Sequence, residues 1–223
     1  FTDLNFSTKI ASYAGEIEEL PRILAPYPQG SIQGPTEIGW GYLQTKLFDW
    51  NQNGLLDLVF SDINADQQVS INIGDENEFK FDKPVILTNS DTDRPFKTRW
   101  RVKPAVINID GSIRYLCLDE DGHVALYRKT GYYKVGQKRH VIINGMEKTK
   151  LTARFGGSLG RVKFTFMDWN ENGKPDIIMG VPSSHDFRII EGNEDVGKFS
   201  NSTLAIMLNK TENLKDDDWE FGA

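Results

Sequence analysis

Cys117 is the only cysteine in 223 residues, so no disulfide can close within the chain and the redox compartment is left open. Its neighbours Tyr115, Leu116 and Leu118 read it as a small core residue. No window approaches the roughly 18 uncharged apolar residues that a membrane-spanning helix needs. Long amphipathic stretches are missing too, and only Gly15 to Leu24 reads as a short helix. No charged-then-apolar leader follows Phe1, so the expectation is a signal peptide already removed or a cut made elsewhere. Lys and Arg total 26 against 32 Asp and Glu, a net charge of −6. That balance argues against wholesale binding to nucleic acid or anionic lipid. No Ser/His/Asp spacing, phosphate-cradling glycine loop or zinc pattern occurs. What is present is 39% hydrophobic content, five Trp and 20 Gly, which suits short strands joined by tight turns.

The chain repeats itself. Residues 47–59 and 166–178 share the pattern Asp-Trp-Asn-x-Asn-Gly-x-x-Asp, flanked by apolar positions that correspond. A weaker copy, Val106-Ile107-Asn108-Ile109-Asp110-Gly111, leads into Tyr115-Leu116-Cys117-Leu118. Aligned glycines fall at Gly54, Gly111 and Gly173, 57 and 62 residues apart. Each copy is bordered by strand signals: upstream alternation, then short apolar runs such as Asp57-Leu-Val-Phe and Asp176-Ile-Ile-Met. Units of this length with three or four strands predict an all-β chain of about three four-stranded propeller blades. Closed rings carry about four to eight blades, so the expectation is an incomplete ring, a segment of a longer propeller. Residues 1–38 read as the tail of a preceding blade and a connection. Blades then follow at 39–98, at 99–158 with the degenerate loop, and at 159–223.

In the first loop, oxygen side chains recur at Asp49, Asn51, Asn53 and Asp57. Hard cations need several oxygens at about 2.3–2.6 Å, and this spacing curls them inward, with the Leu55 carbonyl as a further donor. Asp168, Asn170, Asn172, the carbonyl of Lys174 and Asp176 repeat the set. An EF-hand would require a carboxylate at position twelve, feeding a helix; Phe60 and Met179 stand there, within strand-like runs. Two structural Ca²⁺ sites on strand-to-strand turns are therefore expected, of modest affinity because each has only two carboxylates. The alternative is a metal-free Gly/Asn turn. The middle copy has Val106 and Arg114 at the first and last positions. It should not bind metal, and Arg114 is expected to neutralise Asp110 in place of an ion.

These loops resemble the FG-GAP, or VCBS-type, repeats of integrin-like propellers and many secreted bacterial propellers, over roughly residues 39–210. The resemblance implies that the oxygen donors named above are calcium ligands. The pattern is also similar to rhamnogalacturonan lyases and other polysaccharide-acting propellers. Their catalytic residues find no match here, so no activity is carried over.

A second regularity precedes each loop. Counted back from the glycines, Tyr42, Gln44 and Lys46 correspond to Arg99, Arg101 and Lys103, and to Arg161, Lys163 and Thr165. Alternation puts these on one strand face, with Leu43, Thr45, Leu47, Trp100, Val102, Pro104, Val162, Phe164 and Phe166 on the other. A cationic stripe in an acidic chain is suited to an anionic ligand such as a uronate or sulfated glycan. Trp40 and Tyr42 would supply stacking surfaces. The competing reading packs the stripe against a neighbouring blade. Among the histidines, His123 and His140 read as turn or surface residues, and His185 is the candidate base, on a long loop. The expected function is binding, and help in processing, of an acidic polysaccharide outside the cell or in the periplasm. The alternatives are an integrin-like propeller that contacts another extracellular protein, and part of a polysaccharide lyase. The remaining blades of the parent ring are expected partners in each case.

Overall fold

Alternating side chains punctuated by Gly and Asn turns give strands throughout, and among the described residues there is no helix. The computed structural model describes residues 43–62, 64–75, 78–145, 150–153, 161–180, 187–191, 194–199 and 204–222. Trp40, Tyr42, His185 and the short helix expected at 15–24 lie outside the described residues.

The first unit contains β1 (Gln44–Phe48), β2 (Asp57–Ser61), β3 (Gln67–Ser70) and β4 (Val85–Ile86), paired in that order as an antiparallel meander. The chain next forms β5 (Thr88–Asn89) and β6 (Arg94–Pro95). The second unit is β7 (Ala105–Ile109), β8 (Ser112–Leu118), β9 (Val124–Gly131) and β10 (Lys134–His140), again a meander. Then come β11 (Ile142–Ile143), β12 (Lys150–Ala153), β13 (Lys163–Met167), β14 (Asp176–Gly180), β15 (Phe187–Glu191), β16 (Glu194–Phe199), β17 (Leu204–Asn209) and β18 (Glu220–Gly222). In the third unit the order is β13-β14-β17-β18, while β15 and β16 leave it to form a separate sheet with β12.

The connections behave alike. After the first unit, β5 joins the outer edge of the second, parallel to β10. After the second, β11 joins the outer edge of the third, parallel to β18. Strands β5 and β6, on the N-terminal side of the expected boundary at residue 98, therefore belong to the second sheet. None of the four sheets closes on itself.

First strands lie side by side: β7 contacts both β1 and β13. The join between the second and third units is made by backbone. Lys103 N donates to Val162 O at 2.8 Å, and Phe164 N to Lys103 O at 2.9 Å, as a parallel bridge between Lys103 and Lys163. Aromatic rings pack on the second sheet, where Phe96 meets Tyr115 at 5.4 Å and Tyr127 at 4.8 Å, edge to face, and Trp50 of the first unit reaches Tyr115 at 6.5 Å. Cys117 is fully buried in the same core.

The two outer units differ in what covers them. Trp50 is fully buried, and its indole N–H donates to the Tyr132 carbonyl at 2.7 Å, on the β9–β10 hairpin of the second unit. Trp169, at the same place in the third unit, is 52% exposed. Val59, Val69 and Ile71 are buried, whereas their counterparts Ile178 and Ile206 are half-buried and Leu208 is exposed.

Candidate functional site

The two acidic loops have the same internal geometry. Asp49 Oδ1 accepts from Asn53 N at 3.0 Å and Oδ2 from Gly54 N at 2.9 Å. Asp168 accepts from Asn172 N at 3.0 Å and Gly173 N at 2.8 Å. Asn51 and Asn170 cap the next turn by accepting from Asn53 N and Asn172 N, at 3.0 and 3.3 Å. Asn53 and Asn172 accept from Leu55 N and Lys174 N, both at 2.9 Å. Gln52 and Glu171 share φ values of 60° and 59°, and Gly54 and Gly173 share 90° and 82°. A left-handed φ at that glycine is what allows so sharp a turn.

The closing carboxylates tie each loop to its sheet. Asp57 Oδ2 accepts from Trp50 N at 2.8 Å and Asn51 N at 3.3 Å, and Oδ1 from Asn72 N at 2.7 Å. Asp176 matches it, accepting from Trp169 N at 2.9 Å and Asn209 N at 2.7 Å. Both are fully buried. Burial pushes the Asp57 carboxyl above its usual range, and the nearby Asp49 charge adds to the push. Each loop runs from one antiparallel strand to the next, β1 to β2 and β13 to β14, and neither feeds a helix. The side-chain donors of each loop are all oxygens, the type a hard cation takes. The same turn also satisfies many of its oxygens with backbone amides.

The middle copy is a different structure. Ile109 pairs with Ser112, leaving a two-residue hairpin in which Asp110 and Gly111 have φ of 49° and 82°. Asp-Gly with both φ positive is the type I′ turn that matches strand twist. Arg114 does not neutralise Asp110. Its Nε lies 2.7 Å from Asp217 Oδ1, and its Nη2 donates to Lys215 O at 3.2 Å. Asp110 pairs at the surface with Lys215, at 3.1 Å. Asp217 lies between β17 and β18, so Arg114 ties the second unit to the third. Arg128 binds the same carboxylate.

The cationic stripe is not carried on strands throughout: Arg99, Arg101 and Lys103 precede β7 and Arg161 precedes β13, with one shift of register. Counting from the glycines pairs Arg99 with Arg161. In the fold, Arg101-Val102-Lys103 matches Arg161-Val162-Lys163: both Arg have positive φ, 57° and 65°, and both Val are fully buried. The shift arises because the two-residue hairpin shortens the middle loop. Such φ values at non-glycine residues cost on the order of 1–3 kcal/mol each, and their recurrence marks a built position. Arg101 and Arg161 both stand over the Trp100 ring, 4.7 and 5.1 Å from its centroid. Trp100 was expected on the apolar face, but it is 39% exposed beside its two guanidinium groups. Its Arg neighbours in sequence are the signal that could have placed it there. Lys46 lies on β1 and Lys163 on β13, and Lys103, two residues before β7, bridges to Lys163. Burial lowers the Lys46 pKa, and the Lys103 charge lowers it further. Arg99 is half-buried, with its Nε screened from solvent and without a hydrogen bond.

Comparison with protein-family models, with curated proteins and with solved structures gives no match. No helix among the described residues is long and apolar enough to cross a membrane.

Proposed function

We propose that the chain forms three consecutive blades of an FG-GAP/VCBS-type propeller that binds an anionic polysaccharide outside the cell or in the periplasm. Ca²⁺ is structural in this reading, held by Asp49, Asn51, Asn53, Asp57 and the Leu55 carbonyl, and by Asp168, Asn170, Asn172, Asp176 and the Lys174 carbonyl. The observation that carries the binding role is the Trp100 ring flanked by Arg101 and Arg161, with Lys46, Lys103 and Lys163 alongside, in a chain of net charge −6. Cations concentrated against an acidic background attract anions locally, and guanidinium forks suit carboxylate and sulfate. The open apolar face bearing Trp169 supports the incomplete ring, since a further blade would cover it as the second unit covers Trp50.

Taken as a docking surface in place of a further blade, that face favours a second reading, an integrin-like propeller whose ligand is a protein. Binding to uronate and sulfated glycans, measured at low and high salt, separates the two. Binding that weakens with salt and drops in Arg161→Ala/Lys163→Ala supports the glycan reading. Indifference to every glycan favours the protein reading, and new absorbance from unsaturated uronate ends would assign a lyase.

A further inference from the structure

The turn from β8 to β9 is Asp119-Glu120-Asp121-Gly122-His123. Asp119 Oδ1 accepts from Asp121 N at 3.0 Å and His123 N at 2.9 Å, and Gly122 N donates to Asp119 O at 3.0 Å. The first unit has the same turn between β2 and β3. There Asp62 Oδ1 accepts from Asn64 N at 2.8 Å and Asp66 N at 3.0 Å, and Ala65 N donates to Asp62 O at 3.1 Å. Anchoring the turn therefore explains a buried aspartate in both units. It does not explain what surrounds Asp119.

In the first unit the second carboxylate oxygen, Asp62 Oδ2, is satisfied by Gln68 Nε2 at 3.0 Å. Gln68 pairs with Ile86 across the sheet. The corresponding pair in the second unit is Ala125 with His140, and the place of Asp66 is taken by His123. Ala125 has no donor for Asp119 Oδ2. That oxygen instead faces His140 Nε2 at 3.4 Å and Lys138 Nζ at 3.1 Å. His123 Nδ1 stands 3.4 Å from Oδ1, screened from solvent and without a hydrogen bond. Two of the chain's three histidines thus converge on one carboxylate that is 3% exposed.

We propose that Asp119, His123 and His140 form a binding site for a first-row divalent cation of the zinc class. Their donor atoms all lie within 4.8 Å of one another. Two ligands about 2.1 Å from a tetrahedral ion stand about 3.4 Å apart; His140 Nε2 stands at that distance from Asp119 Oδ2 and His123 Nδ1 from Oδ1, both long for a hydrogen bond, and one of the two oxygens would serve as the ligand. Imidazole nitrogen with one carboxylate is a borderline donor set, unlike the all-oxygen loops. Lys138, with 37% of its side chain exposed, already places a cation against Asp119 Oδ2. Three protein ligands leave a fourth position open. A polar cleft of about 180 Å³ reaches Asp119 and Lys138 from the side of Asp91, Glu120, Asp121 and Tyr127. The site is independent of the propeller reading and of the calcium loops.

The test titrates the metal-stripped full chain with Co²⁺, then displaces it with Zn²⁺. One equivalent should bind with the visible spectrum of low-coordinate Co²⁺. His123→Gln or His140→Gln should weaken binding more than about tenfold, and Lys138→Gln, which removes no ligand and one competing cation, should tighten it. Asp49→Asn/Asp168→Asn should leave the titration unchanged, separating this site from the calcium loops. Absence of saturable binding, or an affinity indifferent to the histidine variants, overturns the proposal. If those variants fail to fold, an affinity unmoved by Lys138→Gln does so.

Discussion

Asp57 and Arg114 each lie five residues before a matching turn aspartate, Asp62 or Asp119, and both are buried. The first unit places a carboxylate there and draws backbone amides to it; the second places a guanidinium and draws Asp217. Removing one partner of a buried pair strands the other charge, so Arg114→Ala should lower stability by about 3 kcal/mol in urea unfolding. An unchanged midpoint would show that Arg128 alone satisfies Asp217. Asp62 gives a pH-dependent prediction. Burial, with the Asp66 charge behind it, raises its carboxyl from 3.8 to about 6. Between those values the folded chain holds a proton that the unfolded chain has released, so this group's contribution to stability falls as pH rises through that window. Asp62→Asn keeps the Oδ1 acceptor of the turn and removes the ionisation, and the Gln68 amide turns its oxygen to the new Nδ2 donor. It should raise stability at pH 7 by about 1–2 kcal/mol and flatten the pH profile between 4 and 6. Thermal unfolding across that range checks both.

Two kinds of connection join first and second strands. The eight-residue loops 49–56 and 168–175 are scaffolded by side-chain oxygens, whereas Asp110-Gly111 needs only backbone torsions. Millimolar Ca²⁺ should therefore raise the melting temperature, with apparent affinity of about 10⁻⁴–10⁻³ M as in extracellular modules, and EDTA should reverse it. Asp49→Asn/Asp168→Asn should remove the response. A melting temperature indifferent to Ca²⁺ in the unmodified chain would mean that the amide network alone holds these loops.

Stacking of units decides how far each loop is buried. Trp50 and Trp169 occupy equivalent positions, yet among the described residues only Trp50 meets a following unit, through Tyr132 and through Lys129, whose Nζ lies 5.3 Å from the ring centroid. Trp50→Ala should cost about 3–5 kcal/mol, and Trp169→Ala should stay within about 0.5 kcal/mol. Equal losses in denaturant unfolding would contradict this asymmetry. The repeat, the all-β class, the strand-to-strand loops and the buried Cys117 were legible because strand alternation and turn chemistry are local: a residue's neighbours in sequence carry them. The partner of Arg114, the exposure of Trp100, the edge pairing of β5 and β11, and the convergence of His123 and His140 on Asp119 were not. Each depends on residues brought together from separate strands or units, and on a hairpin whose length shifts register by two. The primary structure alone determined where the chain turns and which oxygens each turn presents. Only the packing of sheet on sheet decided which charges meet and which aromatic face stays open, because burial and pairing belong to distances between strands that no local pattern encodes.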